Sequence, residues 1–524
     1  MEQTTIFDMI YPKYKITKPI RLIEFFAGYG SQSLALKYLG VEFEHWKICE
    51  WAVKSIQAYK DMHCEFDETY PSILESQTKE EMVDYLYNKG ISSNYNEPMT
   101  REQINRLNEK QLKNILNNIY QTHNLVNIQQ VKGKDLEIVD TDKYDYILTY
   151  SFPCQDLSLA GKGKGMSDTS TRSGMLWEVE RILTECHELR TMPQILLMEN
   201  VPQVHSEDNK SDFFKWQLRL EKLGYKNYMQ DLIATDYGIP QTRNRCFMIS
   251  ILGDYSYSFP KSIPLKLKLK DMLENNVDEK YYLSDKMINC LMSEGTGKFP
   301  RKERFLQTFN TTNEKGISAT LCTTGGTRPT DNFIKEETLK KDLCNKLIQD
   351  GLVEEGDVLI NNINKNAKHQ QDIIQDSNGN ARTLVSGTHG NGGHYTKTLM
   401  NDLRIRKLTP RECFRLMGVK DEDYEKCAKN QSDSSLYHLA GDSIVVNVLM
   451  AIFKELLWNI KVRWYKMNMF DYNILKSGSS GNCLILNKYM AVDMGISFKQ
   501  IKPYLKELKI ILLTHIHSLI WPLL

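Results

Sequence analysis

Residues 21–40 read "RLIEFFAGYGSQSLALKYLG": an apolar run, a glycine-punctuated turn and an amphipathic stretch. The apolar run 21–26 suits a buried strand, the 31–39 segment has helical periodicity, and Gly40 supplies a stop. Between them, Gly28 and Gly30 let the backbone turn sharply and approach a ligand closely. The pattern recurs. "YDYILTYS" (144–151), "QILLMEN" (194–200), "MQDLIAT" (229–235) and "RCFMISIL" (245–252) read as further strands, with helical stretches such as "GMLWEVERILTEC" between them. Strand–helix alternation of this kind predicts an α/β fold, a mostly parallel sheet with helices on both faces.

The totals agree with a chain of several domains. There are 524 residues, 41% hydrophobic and 25% charged, with a formal net charge of +1. A polyanion partner would therefore need basic residues gathered on one surface, because the overall field would not attract it. No signal-like segment opens the chain, and no apolar run reads as a bilayer span. Eleven cysteines form no CxxC pair, which fits a reducing, cytoplasmic setting and argues against a disulfide framework or a structural metal site.

Texture divides the chain. Residues 18–262 carry the alternating pattern, broken at about 72–128 by a polar, helical insertion rich in Glu, Lys, Asn and Gln, read as structural. Residues 263–402 are loop-rich, with "CTTGGTRPTDN" and "SGTHGNGGHYTKT", and loops on a scaffold are where recognition usually sits. The α/β texture returns over 403–466, ending in the amphipathic "SIVVNVLMAIFKELLWNI". Residues 467–524 form a separate tail.

Several residues stand where strands end. Glu50 closes "HWKICEW" about twenty residues beyond the glycine turn, where a carboxylate can accept hydrogen bonds from ribose hydroxyls; an exposed strand-end glutamate is the alternative. Cys154 follows Pro153 at the end of the 144–151 strand, and Glu199 ends the next one, "MENVP", so both would face one crevice. A buried, inert thiol is the ordinary state of a single cysteine. In "PQTRNRCF" (240–247), Gln241, Arg243 and Arg245 alternate and so share a face. That face could grip phosphate or a base edge, or be a solvated basic strand edge.

Taken in order, these motifs resemble those of the cytosine-5 DNA methyltransferases: "FAGYG" (26–30), "PCQ" (153–155), "ENV" (199–201), "QTRNR" (241–245), "RKLTPRECFRLMG" (406–418) and "AGDSIVVNVL" (440–449). Glu24, Ser31 and Asp442 stand where the family often has Asp, Gly and Asn. The resemblance implies the fold of S-adenosylmethionine-dependent methyltransferases, interrupted by a target recognition domain at 263–402. It makes Cys154 the nucleophile on cytosine carbon 6 and Glu199 the proton carrier at ring nitrogen 3. Arg243 or Arg245 would lower the thiol pKa. Phe26, Gly28, Gly30, Glu50, Asp135, Pro153 and Asn447 would serve the cofactor, S-adenosylmethionine. Gln155, Ser158, Lys162, Lys164 and Gln241 would touch double-stranded DNA, with the 156–174 loop holding a cytosine flipped out of the helix. A monomer is expected, with a restriction endonuclease on another chain as a partner such enzymes can have, or a role in phage self-protection. Methylation of structured RNA and a non-catalytic DNA-binding role are the alternatives.

The tail resembles the opening of a metallo-β-lactamase-fold hydrolase: "SGSSGNC", "AVDMGIS", then "LLTHIHS". Leu519 and Ile520 replace two of that family's metal ligands, so the resemblance implies a truncated remnant that binds no metal.

Overall fold

The computed structural model describes residues 12–64, 74–152, 174–284, 315–323, 331–338 and 402–457, together with a few single residues and short strands elsewhere. A six-stranded sheet forms the centre. Its strands are β1 (Ile20–Phe25), β2 (Phe43–Cys49), β3 (Asp145–Tyr150), β4 (Ile195–Asn200), β5 (Tyr225–Ile233) and β6 (Asn244–Leu252), in the order β2-β1-β3-β4-β6-β5. β1, β2, β3 and β4 run parallel, and β6 runs antiparallel to both neighbours. Every residue of β1, β3 and β4 is buried, as expected for strands covered on both faces. β5 starts at Tyr225, four residues before the stretch that hydropathy marks, because pairing with Leu252 extends it past its apolar part.

The helices follow the expected alternation: α1 (Ser31–Tyr38), α2 (Val53–His63), α6 (Met175–Leu189) and α7 (Lys210–Lys222). Leu176, Val179, Ile182 and Leu183 of α6 and Trp216 of α7 pack with Leu148, Leu196 and Met198 of the sheet in one core cluster. Between α2 and β3 the insertion folds into α3 (Lys79–Lys89), α4 (Arg101–Asn105) and α5 (Glu109–Gln121). Each of the three opens with a capping box: Thr78 with Glu81, Thr100 with Gln103, and Asn108 with Gln111. The reciprocal hydrogen bonds satisfy amide groups that a helix start leaves unpaired. Met82, Leu86, Ile104, Leu112 and Leu116 then form a second core cluster that includes Ile56 of α2.

From the 263–402 region, β7 (Phe333–Thr338) pairs antiparallel with β8 (Asp402–Lys407), which leads into the 403–466 segment. Residues near 318 pack on the sheet domain itself: Thr242 N donates to Ser318 O at 2.9 Å, and Ser318 N to Pro240 O at 2.9 Å. After β8 come α8 (Pro410–Leu416), α9 (Asp421–Ala428), α10 (Asp433–Asp442) and α11 (Val446–Leu456). Asp433–Leu456 is apolar and long enough to cross a membrane by composition, but 72% of its most apolar window is buried inside the protein. It is core. Ile16 N donates to Leu456 O at 2.7 Å and ties the start of this unit to the end of α11.

The tail is a separate unit. Its described strands, β9 (Tyr472–Lys476), β10 (Cys483–Leu486), β11 (Met490–Val492) and β12 (Ile510–Leu512), form a sheet in that order. His515 and His517 lie outside the described residues.

Candidate active site

β2 and β3 flank β1 on opposite sides, so the chain order reverses there and a crevice opens beyond the carboxyl ends of the strands. The turn after β1 shapes one wall. Phe26 has φ 56° and Gly28 φ 55°, and Phe26 N donates to Cys49 O at 2.8 Å, pinning the turn to the end of β2. Gly30 does a different job from the one the sequence suggests. At φ 81° it leads into α1, and a Cβ there would sit 2.5 Å from His63 Nε2 and 2.7 Å from a Tyr59 ring carbon. It packs against α2 and does not line the cavity.

Glu50 sits at the centre of this wall. Its carboxylate accepts hydrogen bonds from Gly28 N at 3.0 Å and Ala52 N at 2.8 Å. Burial pushes its carboxyl up to about 7, against those two amides. Asn124, at the end of the insertion, grips the Glu50 backbone from both sides. It accepts from Glu50 N at 3.1 Å and donates to Glu50 O at 2.8 Å, while also accepting from Val126 N at 2.9 Å. Sequence reading misses Asn124, although a buried asparagine before the apolar "LVNI" is the available signal. Glu24, one turn earlier, faces away from the cavity into a network with Ser33 and Tyr59, both of which donate to it at 2.5 Å.

A cavity of about 520 Å3 fills the crevice, bounded by Phe26, Gly28, Glu50, Trp51, Ile128 and Phe152, and reaching Glu199, Arg243 and Arg245. Cavities of this size suit cofactors and small ligands. Asn127 and Ile128 occupy the wall where Asp135 was expected. Asp135 instead caps a short 3-10 helix, accepting from Lys132 N at 2.9 Å, and is absent from the lining. Asn447 is also displaced from its expected role: its Nδ2 donates to Tyr237 O at 3.3 Å, with Gly418 packed against it. The closing segment still meets the first turn, but through Ser443 and Ile444, which line the cavity; Ile444 N donates to Ser31 Oγ at 3.3 Å.

At the other end, Glu199 is buried with Arg245 Nε 3.1 Å from its Oε1. Burial pushes the carboxyl up, against the pull of Arg245 and Arg243. Next to it, Asn200 Nδ2 donates to Phe152 O at 3.0 Å and so holds the backbone that leads to Pro153.

Gln241, Arg243 and Arg245 do share a face, but it turns inward. Gln241 is 0% exposed; its Oε1 accepts from Leu321 N at 3.1 Å and its Nε2 donates to Leu416 O at 2.7 Å. An amide spent in this way cannot read DNA, which corrects the expected contact. Arg243, 4% exposed, donates through Nη2 to Gly441 O at 2.9 Å and Ser443 O at 2.7 Å. Burial, with Arg245 nearby, lowers its pKa to about 10. It clamps the closing segment, which leaves Arg245 as the arginine paired with Glu199. Pro153, Cys154, Gln155, Ser158, Lys162 and Lys164 lie outside the described residues.

Known proteins are similar to this chain in sequence. The family profile described as "C-5 cytosine-specific DNA methylase" matches residues 87–458. The type II methyltransferase M2.ScrFI of Lactococcus lactis subsp. cremoris is 32% identical over 445 residues, covering 83% of this chain and 99% of that protein. The orphan methyltransferase M.SssI of Spiroplasma monobiae is 38% identical over 276 residues, covering 51% and 68%. Among solved structures, Entamoeba histolytica methyltransferase EhMeth aligns with a TM-score of 0.48 at 14% identity, over 84% of this chain and 98% of that one.

Proposed function

Because this chain belongs to the C-5 cytosine-specific DNA methylase family, we propose that it methylates carbon 5 of a flipped-out cytosine in a specific double-stranded DNA sequence, with Cys154 as the nucleophile. The methyl donor of the family is S-adenosylmethionine, which supplies an electrophilic methyl group on a sulfonium. The cavity fits such a donor, with a buried carboxylate at Glu50, an apolar wall at Trp51 and Ile128, and a backbone turn at Gly28.

One observation carries the mechanism. A buried carboxyl at Glu199, its pKa pushed up by burial, shares the cavity with Phe152, two residues before Cys154, and Asn200 bonds the two strand ends together. Addition of the Cys154 thiolate to ring carbon 6 forms the S–C bond and drives electron density onto carbon 5 and the ring's carbonyl and nitrogen 3. Burial shifts the Glu199 pKa upward, the direction required of a group that is to hydrogen-bond nitrogen 3 through a proton as that charge develops. Arg245, paired with Glu199, steadies the carboxyl and the charge around it. After methyl transfer, loss of the carbon 5 proton expels the thiolate and restores the base. The lysines of the 156–174 loop would contact phosphates, and the 263–402 region would read the flanking bases in the major groove.

Bisulfite sequencing of plasmid from cells expressing the protein, beside a Cys154→Ala control, tests the chemistry and returns the target sequence. Unconverted cytosines at one motif, lost in the control, are expected. Methyl transfer to structured RNA but not to DNA would replace this reading. The tail we read as a remnant without hydrolase activity; removal of 467–524 should leave methylation intact, and tight stoichiometric zinc dependent on His515 and His517 would refute that.

A further inference from the structure

We propose that the insertion loop Ser92–Pro98 roofs the cofactor cavity and that Tyr95 contacts the bound methyl donor, so the helical insertion is part of the donor site and not only a surface elaboration. The inference rests on the reading that the donor occupies this cavity.

The loop starts where the cofactor wall ends. Ser92 N donates to Trp51 O at 2.8 Å and Ser92 O accepts from Val53 N at 2.9 Å, which fixes the start of the loop just past Glu50. Met99 N to Ile91 O, 2.8 Å, closes its base. Inside, Asn94 Oδ1 accepts from Asn96 N at 3.0 Å and Glu97 N at 3.2 Å, and Ser92 Oγ donates to Glu97 O at 2.7 Å. These local bonds shape the loop above the core cluster that holds Ile91 and Met99 at its base. Tyr95, at the tip, has φ 64°, a conformation that costs a non-glycine residue free energy. Its ring lies on His438 of α10, with centroids 3.8 Å apart and planes at 33°. His438 in turn pairs with Asp442 at 3.0 Å. The loop thus reaches from the Glu50 side to the closing segment, and Asn94, Tyr95, Asn96 and Pro98 all line the cavity.

The Tyr95 hydroxyl is buried and makes no hydrogen bond of good geometry within the described residues, although the Ser55 and Ser435 side chains lie close to it. A buried polar atom without a partner is unfavourable and rare. Donor polar groups in the cavity, the ribose hydroxyls or the amino-acid end, would satisfy it.

Calorimetric titration of the full-length protein with S-adenosylhomocysteine, the demethylated product, tests this in Tyr95→Ala, Tyr95→Phe and Glu50→Gln. Tyr95→Ala should weaken binding about tenfold or more by removing ring contact and hydroxyl together, and Tyr95→Phe by a factor of about 2–12. The KM for S-adenosylmethionine should rise in step while the KM for DNA stays unchanged, a split that a general folding defect would not produce. If Glu50→Gln weakens binding but both Tyr95 variants bind like the parent protein, the roof is refuted and the cavity stands. If none of the three weakens binding, the donor does not occupy this cavity and the roof falls with it. Should Tyr95→Ala not fold, Tyr95→Phe decides alone: undiminished affinity overturns the inference.

Discussion

Replacing Gln241 by alanine should destabilise the fold and leave DNA sequence preference untouched. The side chain is fully buried and spends both ends of its amide on backbone, Oε1 on Leu321 N at 3.1 Å and Nε2 on Leu416 O at 2.7 Å. Truncation strands one buried N–H and one buried C=O. Each such group costs roughly 1–3 kcal/mol, so the sum is roughly 2–5 kcal/mol after partial relaxation. That is a large share of the roughly 5–15 kcal/mol that holds a domain folded. Urea unfolding followed by tryptophan fluorescence should show a lower midpoint with an unchanged slope, the sign of lost stability without a changed unfolded state. Gln241→Glu should be at least as damaging, because an ionised carboxylate accepts from Leu321 N but cannot donate to Leu416 O. An unchanged midpoint combined with weaker or re-specified DNA binding would show that the side chain reads DNA after all, and the inward assignment would be wrong.

Other outcomes follow from the same geometry. Glu199→Gln should lower kcat by roughly 10²–10⁴-fold and remove the fall in parent activity as pH rises through the raised Glu199 pKa, measured by tritium transfer; an alkaline limb that persists in the variant would exclude Glu199 as the proton carrier. Asn124→Ala frees the Glu50 backbone at both N and O and should weaken S-adenosylhomocysteine binding by about tenfold, with parent-like affinity counting against a positioning role. Glu24 and Glu50 both have carboxyls pushed up to about 7 by burial. Such groups are more easily kept neutral in the fold, so their contribution is fully present below the ordinary carboxylate pKa and is lost as pH rises through about 7. The Tm should therefore fall between pH 5 and 8, and Glu24→Gln should flatten that fall; an equal slope in the variant would remove Glu24 from the explanation.

Local chemistry in the sequence was enough to fix the strand–turn–helix opening, the helical character of the insertion and the alternation at 241–245. Each depends on neighbours within a few positions: apolar period, a glycine-punctuated turn, alternate polar residues. The positions of Glu50 and Glu199 at strand ends were legible for the same reason, since a strand's end in a parallel sheet defines the crevice. What the sequence left open was the partner across the fold. The same period-two pattern serves a face turned toward a ligand or one buried against Leu321, Leu416, Gly441 and Ser443, and only the approach of those distant segments turned Gln241 and Arg243 inward. Likewise Asp135 and Asn127 are both polar residues after a helical stretch, and the closure of the insertion beside Glu50 decided which one met the cavity. Side-chain direction relative to a distant backbone is a property of packing, which no local window of residues contains.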